Sequence, residues 1–272
     1  MHVVSFDASD TIGLNCRDWG RQTPFFSHFE RVKAKRVAIV QSSYIPWKGY
    51  FDLIRHVDEF ILYDDAQFTK RDWRSRNRIK MANGALWLTV PVEVSGKYRQ
   101  CVKDARISDP GWNQRHWRSI RASYARAPFF DDYKDALEQL YLECRTPYLS
   151  EVNHCFISAL CALMSIETRL TWSMDYDLPE GRTERLVAMC QQACATEYVS
   201  GPTARAYMDM SLFESIGLPV RFIDYGRYPE YPQLYPPFDH QVSIIDLLLH
   251  TGPEATRYML STLESAAPPQ PA

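Results

Sequence analysis

The fold is decided by residues 36–80, which read RVAIVQSSYIPWKGYFDLIRHVDEFILYDDAQFTKRDWRSRNRIK. An apolar, β-branched run at 37–40 precedes the polar, proline-containing residues 41–46, which predicts a buried strand that ends in a loop. Apolar residues then recur at helical spacing over 49–57, and a second apolar run at 60–63 predicts another strand. The stretch is therefore a strand, loop, helix, strand unit of a parallel α/β sheet.

The candidate site lies in the crevice that this unit predicts. Ligands of parallel α/β sheets bind at the carboxyl ends of the strands, so the loops at 41–47 and 64–71 are expected side by side. Asp64 and Asp65 follow the second strand, where they could bind Mg²⁺ or accept a proton from an attacking amine. Because successive strand residues point to opposite faces, we expect only Asp64 to face the crevice, and we assign no metal site. The loop residues assigned to substrate binding are Gln41, Tyr44, Trp47 and Gln67.

A basic segment follows, in which six of the eleven residues 70–80 are Lys or Arg. If the segment is extended, Arg74, Arg76, Arg78 and Lys80 point to one side. Guanidinium groups bind phosphate and carboxylate through short, charge-assisted hydrogen bonds. The candidate anions are a nucleotide-sugar diphosphate, a phosphopantetheine arm or an aminoacyl-tRNA, and the alternative is a solvated strand face. Substrate binding is assigned to Arg71, Arg76, Asn77 and Arg78.

The composition is that of an ordinary globular protein of 272 residues, with 46% hydrophobic residues, 24% charged residues and a net charge of −2. This near-neutral balance gives no reason to expect DNA as a partner. No apolar run approaches the roughly 18 residues of a membrane-spanning helix, so no membrane partner is expected. The seven cysteines are scattered without a Cys-x-x-Cys pair. Free thiols of this kind predict a reducing, cytoplasmic location.

The rest of the chain continues the α/β pattern around a helical insert at residues 110–166. Short strands and helices alternate from residue 168 to residue 224, which predicts parallel pairing. We therefore predict a Rossmann-like α/β fold, a mainly parallel sheet flanked by helices, for a single domain at 36–264. Residues 1–35 are predicted to form an N-terminal arm and residues 265–272 a disordered tail. The individual predictions are strands at 85–94, 105–108, 168–172, 197–200 and 219–224, and helices at 112–124, 132–143, 148–164, 182–194, 204–216, 243–250 and 254–263.

Two later loops supply the other binding candidates. Ser200 ends a predicted strand, and Gly201 permits a tight turn into a helix whose free N–H groups attract anions. Arg205, one turn into that helix, could clamp a phosphate, and Ser200 is assigned to binding or capping. The loop after the last predicted strand offers carboxylate, hydroxyl and amide groups for a sugar. These residues are Asp224, Tyr231 and Gln233.

Several segments of the chain resemble a known family. They are QSSYIPWKGYFDLI, DDAQFTKRDWRSRNRIK, WLTVPV, TERL, YVSGPTARAYMD, FIDYGRYPEYPQL and SIIDLLLHTG, in this order between residues 36 and 252. In these segments the chain is similar to the WbqC-like family of bacterial proteins. The family usually has His-Gln-Pro at the first loop, where this chain has Val40-Gln41-Ser42. The helix start Pro46-Trp47-Lys48-Gly49-Tyr50 resembles the nucleotidylyltransferase superfamily more weakly, because both histidines of that superfamily's motif are replaced.

The resemblance implies a role in O-antigen or other specialised polysaccharide biosynthesis, with transfer of glycine to an amino sugar as one suggested reaction. His116, in GWNQRHWRSI, matches the family pattern, and an ordinary pKa of about 6.5 suits a general base. The alternative for His116 is a partly exposed helix histidine. We therefore predict an acyltransferase, aminoacyl or glycyl, that acts on the amine of an amino sugar or related small molecule. Its predicted catalytic residues are Asp64 and His116, and its candidate donors are a carrier-protein thioester and an aminoacyl-tRNA.

Two other functions stay open. A non-catalytic module would bind a sugar nucleotide or a carrier protein in support of a partner enzyme. A nucleotidylyltransferase-like enzyme would bind a nucleoside triphosphate with Mg²⁺ and release pyrophosphate. Turnover of a candidate donor by the protein alone separates an enzyme from the binding module.

Overall fold

The computed structural model describes residues 34–226 and 228–265. The predicted N-terminal arm lies outside the described residues except for its last two positions, and the predicted tail lies outside them except for Ser265. None of the helices in this part of the chain has the length and apolar character that a membrane crossing requires.

The predicted strand, helix, strand unit is present at the start of the described chain. It consists of strand β1 (Arg36–Val40), helix α1 (Lys48–Arg55) and strand β2 (Glu59–Leu62). The two strands pair in parallel, with Ala38 opposite Phe60. Seven of the eight α1 residues are buried, including the polar Lys48 and Asp52.

A hairpin of β3 (Arg76–Met81) and β4 (Gly84–Thr89) follows β2 and pairs separately from the main sheet. The basic segment is therefore extended in its second half, and its arginines from residue 74 onward stay partly exposed while the residues between them are buried. Lys80 departs from this pattern. A distant loop covers it, and its ammonium donates to Gln233 Oε1 at 2.5 Å.

Three helices form the predicted insert, α2 (Trp112–Tyr124), α3 (Phe130–Glu143) and α4 (Leu149–Leu163). The strand predicted at 85–94 ends earlier, at Thr89, close to Pro91, which has no N–H to donate to a ladder. The strand predicted at 105–108 is wrong. Only isolated bridges occur there, because its residues pair singly with two different segments.

Within residues 34–226 and 228–265, the main sheet has six strands. The remaining ones are β5 (Arg169–Trp172), β6 (Glu197–Ser200), β7 (Val220–Asp224) and β8 (Thr262–Ser265). Their spatial order is β5-β2-β1-β6-β7-β8, and all are parallel except β8. The chain moves outward from β1 to β5 on one side and then returns to β6 and β7 on the other. The strand order therefore reverses between β1 and β6, which is where sheets of this type bind ligands.

Helices cover both faces of the sheet and confirm the predicted Rossmann-like class. Helices α5 (Arg182–Gln192) and α6 (Met210–Ser215) pack on one face, and α1, the insert and α7 (Ile244–Thr251) pack on the other. The β1 strand shows the alternation, because Val37 and Ile39 belong to one core cluster and Ala38 to the other.

Two of the predicted helices are wrong in extent or type. The helix predicted at 204–216 is divided into a 3₁₀ turn, Pro202–Ala206, and the short α6, which Asp209 caps by accepting the Ser211 N–H at 3.0 Å. The helix predicted at 254–263 is a 3₁₀ helix, Gly252–Tyr258, followed by β8. Antiparallel pairing with β7 overrides the local helical pattern there.

Candidate functional site

A cavity of about 580 Å³ opens at the carboxyl ends of β1 and β7. We call it the switch-point pocket, because β1 borders the reversal of strand order. An aromatic wall with a few polar groups is typical of small-molecule sites. The lining residues are Val40, Ser43, Pro46, Trp47, Tyr50, Trp73, Arg74, Asn77, Tyr225, Gly226, Tyr228, His240 and Gln241.

The aromatic wall is built around Trp47, the residue before α1. Its ring centroid lies 5.2 Å from that of Tyr225 and 5.8 Å from that of Tyr228, both edge-to-face. The indole folds back over Gly49, where a Cβ atom would lie 2.3 Å from the Trp47 ring. Glycine is therefore required at this helix start, since a side chain would displace Trp47 from the wall.

Among the described residues that line the pocket, Arg74 carries the permanent positive charge. Its Nε donates to Gln41 Oε1 at 2.6 Å, and its Nη1 donates to Ser43 Oγ at 3.0 Å. The carboxylate of Asp72 is 4.0 Å from the other terminal nitrogen. Two neutral acceptors thus fix the guanidinium without neutralising its charge at close range. Arg74 is arranged to bind a carboxylate or a phosphate in the pocket.

His240 is the histidine of the pocket. Its Nδ1 is buried and has no hydrogen-bond partner among the described residues. Burial, with a smaller effect from the Lys48 ammonium, lowers the pKa of His240 below its ordinary value of 6.5. The imidazole is therefore neutral at pH 7.

Lys48, the first residue of α1, lies among aromatic rings and is only 2% exposed. Its ammonium donates to the Pro229 carbonyl at 3.2 Å and lies 5.0 Å and 5.2 Å from the ring centroids of Tyr228 and Tyr231. Burial lowers the pKa of Lys48 from 10.5 to about 8, although nearby carboxylates attract its charge. The Lys48 ammonium therefore lies against aromatic ring faces and not in a close ion pair.

We expect Lys48→Met to change how stability depends on pH. The folded protein releases the Lys48 proton near pH 8, whereas the unfolded chain holds it to about pH 10.5. The unfolded state then binds more protons within this window, so wild-type stability should rise with pH relative to the variant. Urea unfolding across the window measures the difference, with Lys70→Met, at an exposed lysine, as the control. If the free energies of unfolding of wild type and Lys48→Met change with pH in parallel, the pKa of Lys48 is not lowered in the folded protein.

Part of the predicted binding set lies at this pocket. Asn77 lines it, but its Nδ2 donates to the Ile45 carbonyl at 2.9 Å, so the amide holds the first loop. Arg78 donates to the carbonyl of the lining residue Gln241 at 2.8 Å and 3.0 Å. The predicted residues that line the pocket or hold a lining residue are Gln41, Tyr44 through its backbone, Trp47, Asn77, Arg78 and Asp224. Their roles in binding stay predictions.

Asp64 does not reach the crevice surface. Its carboxylate is fully buried, and it accepts the Ser42 N–H at 2.9 Å and the Ser150 hydroxyl. Burial raises the pKa of Asp64, and these donors oppose the rise. Asp65 is partly exposed and pairs with Lys103. The expected orientation of the two carboxylates is therefore wrong, while the catalytic role of Asp64 stays a prediction.

In the described part of the chain, no three His, Cys, Asp or Glu side chains are arranged to hold a metal ion.

His116 and Tyr44 form a buried pair in the core. His116 Nδ1 lies 2.8 Å from the Tyr44 hydroxyl, which lies 2.9 Å from the Tyr141 hydroxyl. His116 is 7% exposed, so it is not the partly exposed histidine of the alternative interpretation. Burial lowers its pKa to about 4. Neither residue lines the switch-point pocket, and their predicted roles in catalysis and binding remain untested.

Tyr231 and Gln233 are engaged inside the protein. The Tyr231 hydroxyl and the Gln233 amide donate to Asp246 Oδ1 at 2.7 Å and 2.9 Å, and the Tyr124 hydroxyl donates to Asp246 Oδ2 at 2.8 Å. Asp246 is fully buried in α7. This Asp246 network joins α7 to α2 and to the loop after β7, so the polar groups of both predicted residues are used within the protein.

The remaining predicted residues lie elsewhere. Ser200 is buried and accepts the Tyr198 hydroxyl at 3.3 Å. The guanidinium carbon of Arg205 lies 4.5 Å from the ring centroid of Phe222. The predicted residues that neither line the pocket nor hold a lining residue in a described contact are Gln67, Arg71, Arg76, Ser200 and Arg205.

Arg74 and His240 are the main pocket residues that sequence reasoning did not select. Arg74 was recognised within the alternating basic segment, but the period alone does not separate it from Arg76 and Arg78. His240 lies after the last parallel strand, β7, and before α7. The rule that ligands bind at the carboxyl ends of strands was the signal that could have identified it.

The sequence of this chain is similar to those of known proteins. The chain matches the model of the WbqC-like protein family over residues 41–258, which include all the pocket-lining residues except Val40. It is 50% identical over 225 residues to the uncharacterized protein Rv1507c of Mycobacterium tuberculosis. The aligned region covers 83% of this chain and 97% of that protein. No solved structure matches the chain. Because the family match spans most of the sequence and a relative shares half of the aligned residues, the chain belongs to the WbqC-like protein family.

Proposed function

We propose that this protein is an acyltransferase that moves an aminoacyl or glycyl group onto the amine of an amino sugar or related small molecule, in polysaccharide or natural-product biosynthesis. One observation carries the proposal. A single aromatic pocket at the carboxyl edge of the sheet holds both a fixed cation, Arg74, and a neutral histidine, His240, whose Nδ1 has no partner among the described residues. The first suits an anionic carrier or substrate, and the second suits proton removal from an amine.

The proposed reaction needs no covalent intermediate on the protein. The neutral acceptor amine attacks the carbonyl carbon of a thioester or ester donor, and His240 takes the proton that the nitrogen loses as the C–N bond forms. The tetrahedral intermediate collapses to an amide, and the departing thiolate or alkoxide recovers the proton from the imidazolium. Arg74 holds the anionic group, and the Trp47 and Tyr225 rings contact the apolar face of the sugar.

In this proposal His240 has the role first predicted for His116, because His240 lines the pocket and His116 lies in the core. Asp64 acts as a positioning residue. Its bond to the Ser42 N–H fixes the loop that presents Ser43 to Arg74. The amine or amino sugar and a carrier protein or aminoacyl-tRNA are the partners of the reaction.

We expect Arg74→Ala to weaken binding of the anionic substrate about 10- to 100-fold, since hydrogen bonds to a charged group are worth roughly 1.5–3 kcal/mol. Calorimetry with aminoacyl thioesters and aminoacyl-tRNA measures affinity, and mass spectrometry of mixtures with amino sugars detects the amide. Lys70→Ala is the control, because it removes a positive charge at an exposed position of the same segment that is not assigned to binding. Equal behaviour of the two variants would contradict the proposed anion site.

His240→Asn should lower turnover about 10²- to 10⁴-fold with little effect on binding.

A non-catalytic binding module is the second candidate. Its supporting observation is that both residues first predicted to be catalytic, Asp64 and His116, are buried and hydrogen-bonded within the protein. Tight binding of a donor by the wild-type protein, without amide formation from any donor and acceptor pair, would favour this module over the transferase.

A further inference from the structure

Two tryptophans are exposed at the rim of the switch-point pocket. Trp73 precedes β3 and Trp87 lies in β4; each is 42% exposed, and their ring centroids are 5.4 Å apart. Trp73 also lines the pocket, so the pair extends the aromatic wall outward. Large aromatic rings usually bury most of their surface, and ring surface left in solvent beside a cavity marks a place for stacking.

Arg76 supplies a cation to this surface. Its guanidinium carbon lies 4.1 Å from the Trp87 ring centroid. Its Nε is buried and has no hydrogen-bond partner among the described residues. Arg78 also approaches Trp87, at 5.6 Å, because the two residues pair across the hairpin. Arg78 is held by Gln241, however, which leaves Arg76 as the arginine of this surface with an unmet donor.

We propose that Trp73, Trp87 and Arg76 form a stacking subsite for the base of a nucleotide, and that the group which enters the pocket is carried on that nucleotide. The inference rests on the proposed function, because it names the class of carrier. Trp73 lines the pocket together with Arg74 and His240, Trp87 lies against Trp73, and Arg76 lies against Trp87. A nucleotide conjugate offers a group for each of these, a planar base for the rings, a phosphate for the arginines and an attached group for the pocket.

Aromatic rings flanked by arginine bind bases through their π faces, without reading the base identity. Two sources share this chemistry. One is a free nucleotide conjugate such as a nucleotide sugar, and the other is the 3′-terminal nucleotide of an RNA that carries an aminoacyl ester. Titration of the full chain with ADP, UDP and UDP-glucosamine, and separately with an RNA hairpin that ends in single-stranded CCA, distinguishes them. Inorganic phosphate is the probe without a base.

We expect Trp73→Ala and Trp87→Ala each to weaken binding of a base-containing probe about 10- to 100-fold, as for other base-stacking rings. Trp87→Phe should keep most of the affinity because it keeps a ring face. Tyr98→Ala is the control, since Tyr98 is 80% exposed and does not line the pocket. Thermal unfolding of each variant confirms that it folds, which is expected because the changed rings are exposed.

Either source supports the subsite, with tighter binding of mononucleotides or of the RNA end identifying the carrier. The proposal is overturned if no probe binds, if phosphate binds as tightly as the nucleotides, or if both alanine variants keep wild-type affinity. Failure here is distinct from failure of the proposed function. An amide product that is lost on Arg74→Ala, in a protein that binds no nucleotide, would keep the transferase and remove the stacking subsite.

Discussion

Asp246→Ala should lower the free energy of unfolding by about 3–5 kcal/mol, because it removes a buried acceptor that serves three donors at once. The hydroxyls of Tyr124 and Tyr231 and the amide of Gln233 would each lose a partner at 2.7–2.9 Å. A buried donor left unsatisfied costs roughly 1–3 kcal/mol, and here the two hydroxyls lose their acceptor while the Gln233 amide keeps the Asp239 carbonyl at 3.0 Å. Urea unfolding measures the change.

Two further variants make this expectation specific. Asp135→Ala is the matched control, since Asp135 is an exposed carboxylate on α3. Asp246→Asn keeps one carbonyl oxygen and should fall between the two. A loss from Asp246→Ala no larger than that from Asp135→Ala would show that the Asp246 network does not stabilise the fold. Tyr231 and Gln233 would then be free to act as the sequence predicted, on a bound sugar.

The fold was predictable where a regular apolar spacing extends over many consecutive residues. The strand, helix, strand unit at the start and helices α2 and α4 follow apolar spacings that a window of about 15 residues contains. The end of the chain was not predictable in this way. Thr262–Ser265 is a strand because it pairs with β7, about 40 residues earlier in the chain, and no spacing within the segment reports that partner.

The candidate site was predictable only to the level of which loops converge. The strand-end rule correctly brought Gln41 and Trp47 to the pocket, because it depends on strand order alone. The orientation of single side chains depended on what covers them. Asp64 meets Ser150, 86 residues later in the chain, and Lys80 meets Gln233, 153 residues later. Asp64 is the predicted catalytic carboxylate and Lys80 one of four cations expected on one side of the basic segment, and distant segments enclose both.

Between pH 6.5 and pH 4 the folded protein should lose about 3 kcal/mol of stability through His116 alone. The folded pKa of His116 is about 4, and its ordinary value is 6.5. In this interval His116 binds a proton in the unfolded chain but stays neutral in the folded protein, so the free energy of unfolding falls as the pH decreases. Above pH 6.5 His116 is neutral in both states and this loss is absent. One pKa unit corresponds to about 1.4 kcal/mol, which sets the size of the loss.

His116→Asn tests this, because an amide can still bond to the Tyr44 hydroxyl but cannot ionise. The variant can be less stable at every pH, yet its stability should fall less steeply than that of wild type between pH 6.5 and pH 4. The comparison of slopes also decides a question of function. If the two slopes are equal, His116 binds its proton as readily in the folded protein as in the unfolded chain. It would then have the ordinary, accessible pKa that a general base for an acceptor amine needs, and the catalytic role predicted from the sequence would regain its support against His240.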